Sequence, residues 1–248
     1  MPQTFLYVRS ADRTLGTANS FRVTLPQTYR SITSISLVSA EVPYSLYNVS
    51  APYLQGVTFV HNGSSFTYTL PAGFYTIDDL TANLVASLQS AFPSAGVTSV
   101  GYSKTTGRLY VVYTSGLAFS VQATSTGSLG RILGTDPSGV ATLASGGVLA
   151  LPGVATLAPV STLFVQISEL PSLTASTNGL SAFARIQLSS APGGVVMANA
   201  AQSVYNTNIF PTPIASLSTL TVTLVTHDNV AVDLHGCEWA FTLVIASA

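Results

Sequence analysis

SFRVTLP, residues 20–26, places Phe21, Val23 and Leu25 on one parity and Ser20, Arg22 and Thr24 on the other. Period two with one apolar side is the pattern of a half-buried β-strand, because successive side chains leave a strand on opposite faces. The same alternation recurs along the chain. SFTYTLP from Ser65 sets Phe66, Tyr68 and Leu70 against three hydroxyls. RLYVVYT from Arg108, AFSVQAT from Ala118, STLFVQISEL from Ser161, FARIQL from Phe183 and LTVTLVT from Leu220 repeat it. In the last run Trp239, Phe241, Leu243 and Ile245 share a face. Ser31 to Pro43 is the exception: apolar residues fall on both parities, which reads as a strand buried on both sides.

Turn chemistry separates these runs. Asn62-Gly63, Thr106-Gly107, Ser115-Gly116, Pro192-Gly193-Gly194 and Asp228-Asn229 supply residues that accept positive φ or close an Asx turn. Most strands are therefore expected to be antiparallel neighbours. One segment has another period. In YTIDDLTANLVASLQSAF, Thr76 and Asp79 form a capping-box pattern, Tyr75 is placed to staple onto Leu80, and Leu80, Leu84 and Leu88 recur at helical spacing before Pro93. A helix over about 77–92 is predicted, with a shorter one in SLGRILG, Ser128 to Gly134. About ten strands with one inserted helix describe an all-β antiparallel sandwich rather than an alternating α/β sheet.

The stretch at about 137–160 differs from its surroundings. It carries no charge and repeats GVATLA at Gly139–Ala144 and Gly153–Ala158. Two copies do not make a solenoid, and Pro152, Pro159 and the glycines interrupt any run long enough to span a membrane as a helix. It is read as a long apolar loop insertion in a single domain covering 1–248. Its Val140, Leu143, Leu149, Val154 and Leu157 are candidates for contacts with a neighbouring subunit.

Charge is scarce throughout. Eight basic and nine acidic residues make 7% of the 248, against roughly 25% in an ordinary soluble domain. Such a surface, made of Ser, Thr, Gly, Ala and Tyr, fits a subunit of a permanent assembly, in which charges are depleted from the interface core; a secreted or robust β domain with a neutral surface is the other reading. A net charge of −1 gives no electrostatic grip on phosphate backbones, so nucleic acid is not expected as a direct partner. Four of the eight basic residues, Arg9, Arg13, Arg22 and Arg30, fall in the first thirty positions. They form either a docking face or a solvated edge. The start MPQTFLYVRSADR shows no signal-peptide pattern. The lone Cys237 excludes an intrachain disulfide and a Cys-rich zinc site, and reads as a buried strand thiol.

Catalytic motifs are missing: no G-x-S-x-G elbow, P-loop, H-E-x-x-H, EF-hand or dinucleotide fingerprint occurs. HDNVAVDLHGCE is the one constellation with chemistry in it. His227, Asp233, His235 and Glu238 would suit a metal site of the cupin kind, but the paired H-x-H of cupins is lacking, and Asp228-Asn229 and His235-Gly236 also read as plain turns. Glu41, Glu169 and Glu238 are scattered over separate runs. No catalytic residue, cofactor or metal is assigned. A metal-dependent jelly-roll enzyme and a carbohydrate-binding β-sandwich remain as rivals from other classes.

The order of features resembles a known group. FRVTLP, then SAEVPYSLYNV, LPAGFYTIDDLTANL, SLGRILGTD and a closing VDLHGCEWAFTLVI are similar to the penton and minor capsid proteins of large eukaryotic DNA viruses, virophages and polinton-like viruses. The resemblance covers roughly 20–134 and 160–246 and rests on pattern rather than on a catalytic motif. It implies a single jelly roll of two facing four-stranded sheets, a structural protein of the virion, and no enzyme activity. It further implies a homopentamer at each icosahedral vertex, in contact with a double-jelly-roll major capsid protein and other minor capsid proteins. A cement protein between major capsid trimers is the related alternative.

Overall fold

The computed structural model describes residues 2–50, 56–123, 129–135, 142–143, 147–157, 160–172, 174–175, 178–190, 193–199 and 207–248. In chain order the elements begin with β1 (Gln3–Arg9), β2 (Leu15–Thr17), β3 (Ser20–Pro43), β4 (Val57–His61) and β5 (Ser64–Tyr68). Helix α1 (Ile77–Ala91), β6 (Val97–Ser103), β7 (Arg108–Tyr113), β8 (Phe119–Ala123), the short helix α2 (Leu129–Leu133), β9 (Thr142–Leu143) and β10 (Val148–Ala150) follow. The rest are β11 (Thr162–Ile167), β12 (Thr174–Ala175), β13 (Ser181–Ala182), β14 (Ala184–Gln187), β15 (Val195–Asn199), β16 (Thr207–Val225) and β17 (Ala240–Ser247). Every strand pairing among the described residues is antiparallel. Among the described residues the chain is all-β with one long helix, where the capping pattern predicts it.

Two compact units divide the chain: Met1–Leu46 with Val160–Ala248, and Tyr47–Pro159, inserted between them in sequence. The first unit holds an eight-stranded sheet in the order β1-β17-β3-β16-β11-β14, with β2 and β15 also paired to β3. The two long strands, of 24 and 19 residues, link the other members. Their inward residues, Phe21, Val23 and Leu25 on β3 and Leu220, Val222 and Leu224 on β16, are buried in one core with Trp239, Phe241, Leu243 and Ile245.

Ser31 to Pro43 is not buried on both faces. Its buried residues are Ile32, Ile35, Leu37, Ala40 and Val42, and the changes of parity fall where the pairing with β17 slips. Ser247 faces Ile32 while Ala246 faces Ser34, and Leu243 faces Leu37 while Thr242 faces Ser39. Thr33 and Val38 are thus extra residues, β-bulges that reset which side faces the core. Two wider slips against β16 leave Leu25–Thr28 on β3 and Phe210–Pro213 on β16 outside the register. Both contain proline, which cannot donate to a ladder and collects at such irregularities.

The second unit has a three-stranded sheet β10-β7-β6 and a four-stranded sheet β5-β4-β8-β9. Its own core contains Leu80, Leu84 and Leu88 of α1 with Phe59, Tyr68, Leu109, Val111, Phe119 and Val121. The α1 N-terminus carries the predicted capping box: Asp79 N–H donates to Thr76 Oγ1 at 3.2 Å, and Thr76 N–H donates to Asp79 Oδ2 at 2.9 Å. Within the stretch expected to be a loop, at 137–160, the described residues include β9 and β10. Two- and three-residue strands are too short to show a period, so ladder partners reveal them where sequence does not.

Candidate functional site

Two of the four N-terminal arginines are engaged within the chain. Arg9 donates to Asp12 through Nε at 2.9 Å and Nη2 at 2.6 Å, and these bonds hold the Asp12 carboxyl below its usual range. Arg13 Nη1 donates to the Ser10 carbonyl at 2.9 Å and to Glu238 Oε1 at 2.7 Å. The other Glu238 oxygen accepts the Ser10 hydroxyl, and that hydroxyl accepts the buried Trp239 N–H at 2.9 Å. Glu238 is held below the ordinary carboxylate range, first by Ser10 and then by Arg13. Arg22 and Arg30 are exposed on β3, opposite Thr221 and Ser216 of β16, and neither makes an ion pair among the described residues.

The loop candidates separate. Leu149 is fully buried in the core of the second unit, where it packs rather than faces a neighbour. This corrects the expectation of an exposed contact; β10 pairs with β7 and buries its central residue. Val154 is exposed and Leu157 half-buried against the same core. Leu143 lies in β9 opposite Ser120. Val140 lies outside the described residues.

A surface that sequence reasoning did not single out residue by residue lies on the outward side of the first unit's sheet. Phe5 is 70% exposed and Ile209 73%, with Tyr7, Val195 and Met197 also exposed. Register carries a row from Phe5 on β1 through Val244 and Ser36 to Thr207 on β16, and another from Tyr7 through Thr242 to Ser39. Hydroxyl pairs tie the strands on this side: Ser36 to Thr207 at 2.9 Å and Ser39 to Thr242 at 3.0 Å. No local signal marks them, because Phe5-Leu6-Tyr7-Val8, Val195-Val196-Met197 and Ile209-Phe210 are consecutive apolar residues in which the sequence does not say which parity faces outward. The exposed apolar residues make this side suited to contact rather than to catalysis, with Glu41, opposite Met197, an exposed charge on it.

The His-containing segment folds as turns. Asn229 N–H donates to the Thr226 carbonyl at 3.0 Å, and Thr226 N–H donates to the Val230 carbonyl at 2.9 Å. Asp233 Oδ1 accepts His235 N–H at 2.8 Å in an Asx turn. Asn229 and His235 have φ of 57° and 52°. His227 lies 3.6 Å from Asp228, and His235 3.7 Å from Asp233. Among the described residues no three His, Cys, Asp or Glu side chains converge as a metal site would need. Cys237 is half-buried and precedes β17 rather than lying within a strand, which corrects the strand-thiol expectation. Glu169 accepts the Thr221 N–H and hydroxyl, both at 2.7 Å. No helix among the described residues is long and apolar enough to cross a membrane.

No protein-family model matches the chain, and no curated protein matches it. Among solved structures it is similar to the crystal structure of the selenomethionine-labelled mavirus penton protein, with a TM-score of 0.57 and 12% identity, over 100% of this chain and 100% of that one. A likeness at that identity is one of fold. The chain has the all-β, jelly-roll fold of that viral penton protein; where the resemblance implies two facing four-stranded sheets, pairing links eight strands of the first unit into one sheet.

Proposed function

We propose that this chain is a structural protein of a virion: the penton that closes the five-fold vertices of an icosahedral double-stranded DNA virus capsid as a homopentamer. The observation that carries the reading is the full-length fold likeness to the mavirus penton protein. It is supported by the low charge and by the exposed apolar residues Phe5, Tyr7, Met197 and Ile209 on one side of the first unit's sheet. Five copies around an axis make a heterologous ring that closes, and each copy then buries two different patches. Partners in this reading are further copies of the chain, the double-jelly-roll major capsid protein around the vertex, and other minor capsid proteins. The protein acts by shape and burial rather than by catalysis, without a cofactor and without direct nucleic-acid contact. Arg9, Arg13, Arg22, Arg30, Val140, Leu143, Val154 and Leu157 stay contact candidates from the sequence.

Electron cryomicroscopy of a particle containing this chain tests the reading. Five copies at each vertex are expected. Copies lying between major capsid trimers in the facets instead would overturn the vertex role in favour of a cement protein.

A further inference from the structure

The first strand closes one side of the eight-stranded sheet, and among the described residues its far side has no partner. Bonds at its two ends fix which residues face that open side. Ser10 N–H donates to the Trp239 carbonyl at 2.9 Å, and Ser247 N–H donates to the Pro2 carbonyl at 3.2 Å. The pairing of β1 with β17 runs from Gln3 to Arg9 without a slip. Residues of an antiparallel pair alternate between bonding the neighbour and facing away from it. Leu6, with its even-numbered neighbours, therefore bonds β17, and Gln3, Phe5, Tyr7 and Arg9 direct their N–H and C=O groups outward.

Natural sheets blunt such an edge with lysine, proline, a bulge or a cover. Here none operates within Gln3–Arg9. The one charge, Arg9, is neutralised by Asp12, and all four outward-facing residues are exposed. A row of alternating donors and acceptors is matched only by another extended chain.

We propose that the occupant is the same strand of a second copy, paired antiparallel about a two-fold axis at Leu6. In that register Phe5 faces the second copy's Tyr7, Tyr7 faces its Phe5, Gln3 faces its Arg9 and Leu6 faces its Leu6. Each outward N–H and C=O of the four residues then has a partner, and none is left over. Aromatic residues oppose aromatic residues on the exposed side, a favourable cross-strand pairing. No like charges meet. The contact is isologous, distinct from the heterologous contacts of a five-fold ring, and it stands or falls separately from the vertex reading.

Sedimentation velocity of the purified chain, with amide hydrogen exchange resolved at Phe5 and Tyr7, tests the pairing. A concentration-dependent dimer is expected, with the Phe5 and Tyr7 amides slowing as it forms. Tyr7→Pro removes an outward N–H and leaves the β17 ladder untouched, so it should weaken the dimer by roughly tenfold or more, two hydrogen bonds being lost about the axis. Tyr7→Lys, which leaves the backbone and buried Leu6 and Val8 alone, should also weaken it and serves if the proline variant misfolds. A chain that stays monomeric at millimolar concentration, a dimer undiminished by either variant, or any oligomer in which these two amides exchange freely would overturn the proposal.

Discussion

Arg13 holds Glu238 at 2.7 Å across 225 residues of chain, and Ser10 binds the other oxygen of the same carboxylate. The two partners of Glu238 are not equivalent. Arg13 and Glu238 are 31% and 40% exposed, which puts their pair in the class worth about 0–1 kcal/mol. Ser10 is fully buried, and its hydroxyl is the acceptor for the buried Trp239 N–H. Ser10→Ala strands that donor and should cost about 1–3 kcal/mol, more than Arg13→Ala. Denaturant unfolding of the two variants checks the order.

Stability should fall in acid in a definite window. Glu238, Asp12 and Asp79 all have carboxyls held below their ordinary values in the folded chain, by Ser10 and Arg13, by Arg9, and by Thr76 respectively. A group with a depressed folded pKa contributes stability that is present above its unfolded pKa, about 4 for these residues, and lost as pH falls through the folded value. The denaturation midpoint should be level with respect to these three groups from neutral pH down to about 5 and decline below about 4. Glu238→Gln should make that decline shallower.

The helix cap gives a separable prediction for the second unit. Thr76→Ala removes the acceptor for Asp79 N–H and should destabilise by about 1 kcal/mol, whereas Thr76→Ser keeps the hydroxyl and should stay near wild type. Thermal melts of the two variants, compared by Tm, decide it.

A close approach of backbones near α2 tests a different mechanism. Gly153 N–H donates to the Gly134 carbonyl at 2.7 Å, and a Cβ on Gly134, whose φ is 78°, would lie 2.4 Å from the Gly153 oxygen. Gly63 has a similar φ of 79° with nothing within 4 Å of a Cβ. Gly63→Ala should cost about 1–2 kcal/mol for the left-handed conformation alone. Gly134→Ala should cost clearly more, because the carbonyl must also move. Equal losses in chemical denaturation would show that the Gly134–Gly153 approach carries no weight.

What the sequence made legible follows from what a single strand can show. The Phe21/Val23/Leu25 and Trp239/Phe241/Leu243/Ile245 faces depend only on period two, and the Thr76–Asp79 cap on a three-residue spacing; all are buried or bonded as the pattern requires. The division at Leu46 and Val160 had no such mark, since both units share one charge-poor, alternating composition. Ser10, Arg13 and Glu238 lie at opposite ends of the chain, so their network has no local signature. Outward Phe5 and Tyr7 were not legible, because Phe5–Val8 is apolar throughout, and Leu149 was hidden because apolarity alone does not separate a core residue from a contact. The two parities of Ser31–Pro43 were visible but misassigned, because a bulge is a property of the pair and not of one strand.

That misassignment can be tested on β3 itself. Val38 is the extra residue between Leu37, which faces Leu243, and Ser39, which faces Thr242. Deleting it would restore an uninterrupted ladder at the cost of turning one side of the strand over. Either Ala40 and Val42 or Ile35 and Leu37 would leave the core, all four being buried now. Moving a pair of buried apolar residues into water while leaving their space empty should cost roughly 4 kcal/mol or more. Val38→Ser keeps the extra residue and changes only a half-buried side chain, so it should cost about 1 kcal/mol or less. Near-ultraviolet circular dichroism of Trp239, which belongs to the same core, reports whether packing survives. A deletion variant with the native Trp239 signal and an unchanged denaturation midpoint would mean that the bulge does not set the inward face of β3.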